Sequence, residues 1–133
     1  MRMISLLILT SLLAAALVKP TFATDGAVAY AHYIRGNYAD AYREYRGLAE
    51  VGYPRYQNLI ASMHAKGEGV KKDLTQAYAW YALSASQGDL LGRMNIQKLS
   101  QELTSEQLQL SIKLAKEYGK MYVAPYRPQW KLQ

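Results

Sequence analysis

Tyr38-Ala39-Asp40-Ala41-Tyr42-Arg43-Glu44-Tyr45 is echoed 36 positions later by Leu74-Thr75-Gln76-Ala77-Tyr78-Ala79-Trp80-Tyr81. Ala41, Tyr42, Tyr45, Ala49 and Gly52 recur as Ala77, Tyr78, Tyr81, Ala85 and Gly88. Five identities at one offset are hard to obtain by chance, and a period of this size marks a helical solenoid. Ala41, Tyr45 and Ala49 lie four apart, so they share one helix face, with Tyr42 and Leu48 beside them. Small residues above and below a Tyr let a neighbouring helix come close while the ring fills the gap. Gly52 and Gly88 sit where each helix must stop, in the place of a left-handed cap.

Working outward, the spacing predicts another helix over Pro54–Lys66. Pro54 suits a first turn, where a missing N–H is no loss, and Tyr56, Ile60, Met63 and Ala65 give an apolar side. Gly67-Glu68-Gly69 ends it, and Asp73 is placed to cap the next helix. Upstream, Ala27 to Arg35 reads as a shorter partner helix ended by Gly36-Asn37. Its link to Ala41 is five residues shorter than the one from Gly67 to Ala77, as expected of an end repeat. Beyond Gly88 a helix over Asp89–Leu99 is expected. Thr104-Ser105-Glu106-Gln107 then has capping-box spacing and opens a long helix to about Tyr122. Leu108, Ile112, Ala115 and Met121, mixed with Leu110, Leu114 and Tyr118, predict a broad apolar side that closes the open end of the stack. Pro125 and Pro128 forbid a continued helix.

These marks resemble the Sel1-like repeat family, a branch of the tetratricopeptide-like solenoids. The matching stretch runs from Leu48-Ala49-Glu50-Val51-Gly52 through Met63-His64-Ala65-Lys66-Gly67-Glu68-Gly69-Val70-Lys71-Lys72-Asp73 to Ala77-Tyr78-Ala79-Trp80-Tyr81 and Ser86-Gln87-Gly88. The resemblance covers about 26–118. Ala61 stands where the family usually has Gly, His64 where it has Tyr, and Tyr56 where it has Ala, departures that bear on local helix spacing. It implies an all-α, short right-handed α/α solenoid of helix pairs with a long C-terminal capping helix, and a function in protein–protein interaction. Members take part in envelope assembly, exopolysaccharide control and host contact.

The N-terminus reads differently. Met1-Arg2-Met3 is a short positive start, Ile4 to Val18 an uncharged, largely apolar run, and Thr21-Phe22-Ala23 puts small residues at a cleavage site. That is the layout of a secretory signal peptide, and the run is shorter than the ~20 residues of a membrane span. The expected organisation is a signal peptide at 1–23 and a repeat domain at 24–122, with units of about 26–52 and 53–88 and a cap at 89–122. A Pro- and aromatic-rich tail occupies 123–133. Cleavage after Ala23 predicts a periplasmic or secreted protein.

The chain has 133 residues, half of them hydrophobic, which fits one folded domain. Twelve Tyr stand against one Phe and two Trp, and Tyr suits half-buried positions and contact surfaces. No Cys is present, so disulfides, a thiol nucleophile, cysteine zinc sites and a lipidated cysteine are excluded. Sixteen basic residues face ten acidic ones, and removing Arg2 and Lys19 with the signal leaves a modest excess of basic charge, which permits contact with anionic envelope components.

Catalytic chemistry is not expected. His32 and His64 occupy nearly equivalent repeat positions, but a metal would need a third ligand. Gly67-Glu68-Gly69 ends a helix, whereas a dinucleotide-binding loop opens one after a strand. Asp40, Glu44, Glu50 and Asp73 fall on helix surfaces or caps, without the paired carboxylates of acid–base work, and no serine lies in a nucleophile elbow. No cofactor is expected, and nucleic acid is not an expected partner of an exported chain. The concave face of such a stack is lined mainly by the first helix of each pair, which nominates Tyr33, Arg55, Asn58, Ser62 and Arg93. Tyr126 and Trp130 in the tail have the chemistry of interface anchors, set against a tail that folds back on the last helix. Lys113, Lys116 and Lys120 form a basic stripe on that helix, suited to anionic polysaccharide or lipid or to a solvated surface.

Overall fold

Six helices and the turns between them build residues 26–123, the part of the chain that the computed structural model describes. They are α1 (Ala27–Ile34), α2 (Tyr38–Val51), α3 (Pro54–Lys66), α4 (Leu74–Ser86), α5 (Leu90–Leu99) and α6 (Ser105–Tyr122). No strand occurs among the described residues. The expected signal peptide and all of the tail beyond Val123, with Tyr126 and Trp130, lie outside them.

Each helix boundary follows from its sequence. Gly52 and Gly88 adopt positive φ (110° and 97°), and their N–H groups donate to Ala49 O and Ala85 O, both at 3.0 Å. The repeat therefore recurs in its stops. Asp73 and Asp89 cap α4 and α5 by accepting from the N–H groups of Gln76 (3.0 Å) and Gly92 (2.8 Å). The Thr104 capping box is complete, with Gln107 N–H donating to Thr104 Oγ1 and Thr104 N–H donating to Gln107 Oε1.

Consecutive helices pack as pairs, α1 on α2 and α3 on α4, and α2 packs on α3 to join them. Ala41, Tyr45 and Ala49 are buried, and so are their echoes Ala77 and Tyr81. The core continues through Ile60, Ala61, Met63, Trp80 and Leu83. Helix α4 is the hub, in contact with α3, α5 and α6. The link 67–73 turns back onto the first unit: Gly69, at φ 71°, is so close to the Tyr38 carbonyl that a Cβ there would overlap it. The second Gly of the Gly-Glu-Gly turn is thus required by contact as well as by backbone conformation.

Two expectations need correction. Asp89 caps α5 from outside and is not its first residue. Only part of the expected apolar side of α6 packs: Tyr118 does, with Leu108, Leu114 and Ala115 half-buried. Leu110, Ile112 and Met121 are 52, 40 and 52% exposed, whereas Ser111 is fully buried. The helix closes on α4 through Tyr118 and Tyr122, whose rings lie 4.6 and 5.3 Å from the Trp80 ring. Ser111 fits there because it is small and its hydroxyl donates back to Gln107 O at 2.8 Å.

Of the three departures from the family pattern, two have local partners and the third is buried. Tyr56 stacks on Tyr45 at 5.9 Å and accepts a hydrogen bond from Gly26 N–H at 3.0 Å, so the larger ring reaches the start of α1. Ala61 is fully buried. His64 Nε2 lies 3.0 Å from the Tyr42 hydroxyl, joining α3 to α2.

Candidate partner-binding groove

Helix α3 forms the spine of a groove, because its inner face is buried while Asn58, Leu59, Ser62 and Lys66 come to the opposite side. Residues three and four apart share a helix face, and these four follow that spacing. Leu59 lines each of three hollows, which lie side by side along α3. Two lie between α1 and α3. One, about 420 Å³, is bounded by Tyr30, Tyr45, Arg55 and Tyr56, and the other, about 160 Å³, by Tyr33, Ser62, Met63 and Glu68. The third, about 470 Å³, lies between α3 and α5 and takes Asn58, Ser62, Lys66, Lys72, Asn95 and Lys98 into its wall.

The walls differ in chemistry. Around α1 they are aromatic: Tyr30 is 57% exposed, and Tyr33 packs 5.1 Å from Tyr38. The Tyr33 hydroxyl donates to Glu68 Oε2 at 2.9 Å. That bond to a carboxylate, with burial, pushes the Tyr33 phenol up to about 12, so it stays a neutral donor and ties α1 to the link after α3. Tyr81 closes the floor of the largest hollow, and its burial raises the phenol pKa against the opposing hydrogen bond from Ser62. Around α5 the wall is basic. Lys66, Lys72 and Lys98 are exposed, and Glu102 is the one carboxylate beside them. The ion pairs among the described residues, Arg43–Asp40 (2.7 Å) and Arg46–Glu50 (2.8 Å), both lie within α2. None of the three lysines makes an ion pair among the described residues, although Glu68 shares the smallest hollow with Lys66.

Of the residues nominated from sequence, Asn58 and Ser62 meet at the largest hollow, Ser62 and Tyr33 at the smallest, and Arg55 at the first. Arg93 is exposed but lines none of the three. Residues not nominated are Tyr30, Leu59, Lys66, Lys72, Asn95 and Lys98. The repeat itself held a signal for several of them: Leu59, Ser62 and Lys66 shifted by the same 36 positions are Asn95, Lys98 and Glu102, all on the wall of the α3–α5 hollow. The same shift maps Arg93 onto Gln57, which is fully buried.

Gln57 is structural. Its Nε2 donates to Ala49 O at 3.1 Å and its Oε1 accepts from Gln87 Nε2 at 2.6 Å, stapling the ends of α2 and α4. His64 is also internal: burial lowers its pKa, opposed in part by Asp73, and its Nδ1 has no hydrogen-bond partner. Among the described residues no group of three His, Cys, Asp or Glu side chains could hold a metal ion. Lys113, Lys116 and Lys120 are exposed along α6. No helix among the described residues is long and apolar enough to cross a membrane.

Residues 54–89 match the family model described as Sel1 repeat. The match opens on the first residue of α3 and closes on the cap of α5, one complete helix pair. No curated protein matches. Among solved structures the chain is similar to c5321, a protective antigen present in uropathogenic Escherichia coli strains displaying an SLR fold. The TM-score is 0.63 at 28% identity, over 72% of this chain and 21% of that one. The chain therefore spans about a fifth of the length of that relative.

Proposed function

We propose, from the premise that the chain is a Sel1-like repeat helical protein, that it is a non-catalytic adaptor holding a protein partner in the cell envelope. Repeats of this kind generally mediate protein–protein interaction, and the fold is typically a scaffold without catalysis. The observation that carries the reading is the row of three hollows along α3, each lined by Leu59, which together offer tyrosine rings, amides and cations. Placement in the envelope rests on the N-terminal layout of basic start, apolar run and small-residue cleavage site.

A photo-crosslinking amino acid at Asn58 or Ser62, in cells, tests the reading. A discrete, saturable crosslinked protein in the periplasmic fraction is expected; absence of any crosslink at both groove positions overturns it. A second reading, contact of the basic stripe with anionic polysaccharide or lipid, is favoured by the exposure of Lys113, Lys116 and Lys120. Its signature is steep salt dependence, abolished by reversing those three charges.

A further inference from the structure

We infer that the α3–α5 hollow takes an acidic stretch of polypeptide, with carboxylates set against Lys66, Lys72 and Lys98. This rests on the reading of the groove as a partner site and specifies the partner's chemistry.

Three lysines from three segments, the end of α3, the link 67–73 and the end of α5, line one cavity. Uncompensated positive charge lining a cleft focuses the field and attracts the opposite charge. The lysines have no ion pairs among the described residues, while the cations on α2 that stand near carboxylates do pair. Glu102 offsets one of the three charges and leaves the wall net positive.

The other lining groups select a peptide over a non-peptide polyanion. Asn58 and Asn95 face the cavity from either side, and each carboxamide carries a donor and an acceptor, which matches a backbone amide. The sulfate or phosphate groups of a non-peptide polyanion only accept hydrogen bonds, so its charged groups meet the donor side of these carboxamides and leave their acceptor side unmatched. The cavity, about 470 Å³, is larger than one carboxylate fills. Leu59 lines both this cavity and the tyrosine-walled hollow of about 420 Å³, which places an apolar side chain further along the same peptide against Tyr30, Tyr45 and Tyr56. Electrostatic complementarity then sets register and rate of encounter, and the aromatic hollow supplies apolar burial.

The test uses the purified chain and fluorescence anisotropy of a labelled peptide of alternating Glu and Leu, with the Gln–Leu peptide, dextran sulfate and phosphatidylglycerol vesicles as comparisons. The Glu–Leu peptide should bind and the Gln–Leu peptide should not. Lys72→Glu and Lys98→Glu should each weaken binding roughly ten-fold, as expected for loss of one charge-assisted hydrogen bond of ~1.5 kcal/mol. Gln109→Glu, which adds a negative charge on an exposed position of α6 away from the hollow, should leave it unchanged. Helical circular dichroism checks that the variants fold, and Lys98→Gln, an uncharged change at an exposed site, gives a second, milder loss. Equal binding of both peptides, indifference to Lys72→Glu and Lys98→Glu, or equal affinity for dextran sulfate or vesicles that is lost in the same variants would each overturn the inference. If the acidic peptide fails while Asn58 still crosslinks a partner, the partner site stands and only its acidic preference is lost; if neither occurs, both fail.

Discussion

Gly69 and Gly36 both hold the chain at positive φ, 71° and 77°, but only Gly69 is pressed against its neighbours. Gly36→Ala meets open space and pays backbone strain alone, about 1 kcal/mol. Gly69→Ala adds overlap with the Tyr38 carbonyl, which cannot move without shifting the start of α2, for a total of about 3 kcal/mol. Urea unfolding of the two variants should separate them by that margin. His64 gives a pH signature. Burial holds its folded pKa below the unfolded value, so the unfolded chain binds the extra proton first. The contribution is fully present above about pH 6.5 and is lost as pH falls through that value toward the depressed folded one. A His64→Tyr variant, which restores the residue usual in the family, should lose less stability between about pH 7 and pH 5 than the parent chain. Equal loss in both would show that His64 does not titrate as its burial dictates.

Helix α6 is held by aromatic contact at the element scale. Tyr118 lies tilted against Trp80 and its hydroxyl donates to Gln76 Oε1 at 2.6 Å. Tyr118→Phe removes the hydrogen bond and should cost about 1 kcal/mol, whereas Tyr118→Ala opens the cover of Trp80 and should cost about 3 kcal/mol. In a Trp130→Phe background the emission of Trp80 should shift to the red for the Ala variant alone. This helix also shows where sequence reading stopped short. Its start was legible because Thr104 and Gln107 form a local motif whose geometry needs nothing outside the turn. Its packing side was legible only in part, through Tyr118. Apolar residues surround much of the helix, and the choice between sides was made by Trp80, a residue 38 positions before Tyr118. Hydrophobic periodicity reports that a helix has an apolar side and cannot report which of two sides a remote ring will select.

For the whole molecule, the repeat carried more than the local motifs did. A 36-residue offset located paired helices, their stops and their buried Ala and Tyr rungs, because stacking demands the same small–large alternation in each unit. Applied to α3, that offset also reaches Lys98 and Asn95, whereas Arg93 is displaced from the register of the groove by its equivalence to Gln57. Lys72 had no such signal, since it enters the hollow from a link whose path depends on Gly69 meeting Tyr38. The joints between units are made of ring stacking, neutral amides and a phenol on Glu68, and among the described residues the ion pairs stay inside α2. Sodium chloride should therefore leave the melting temperature nearly flat over the range that screens exposed charges, a result scanning calorimetry can check. The architecture thus behaves as an ionically silent frame, and any response of capture to added electrolyte can be credited to the captured molecule and not to loosening of its holder.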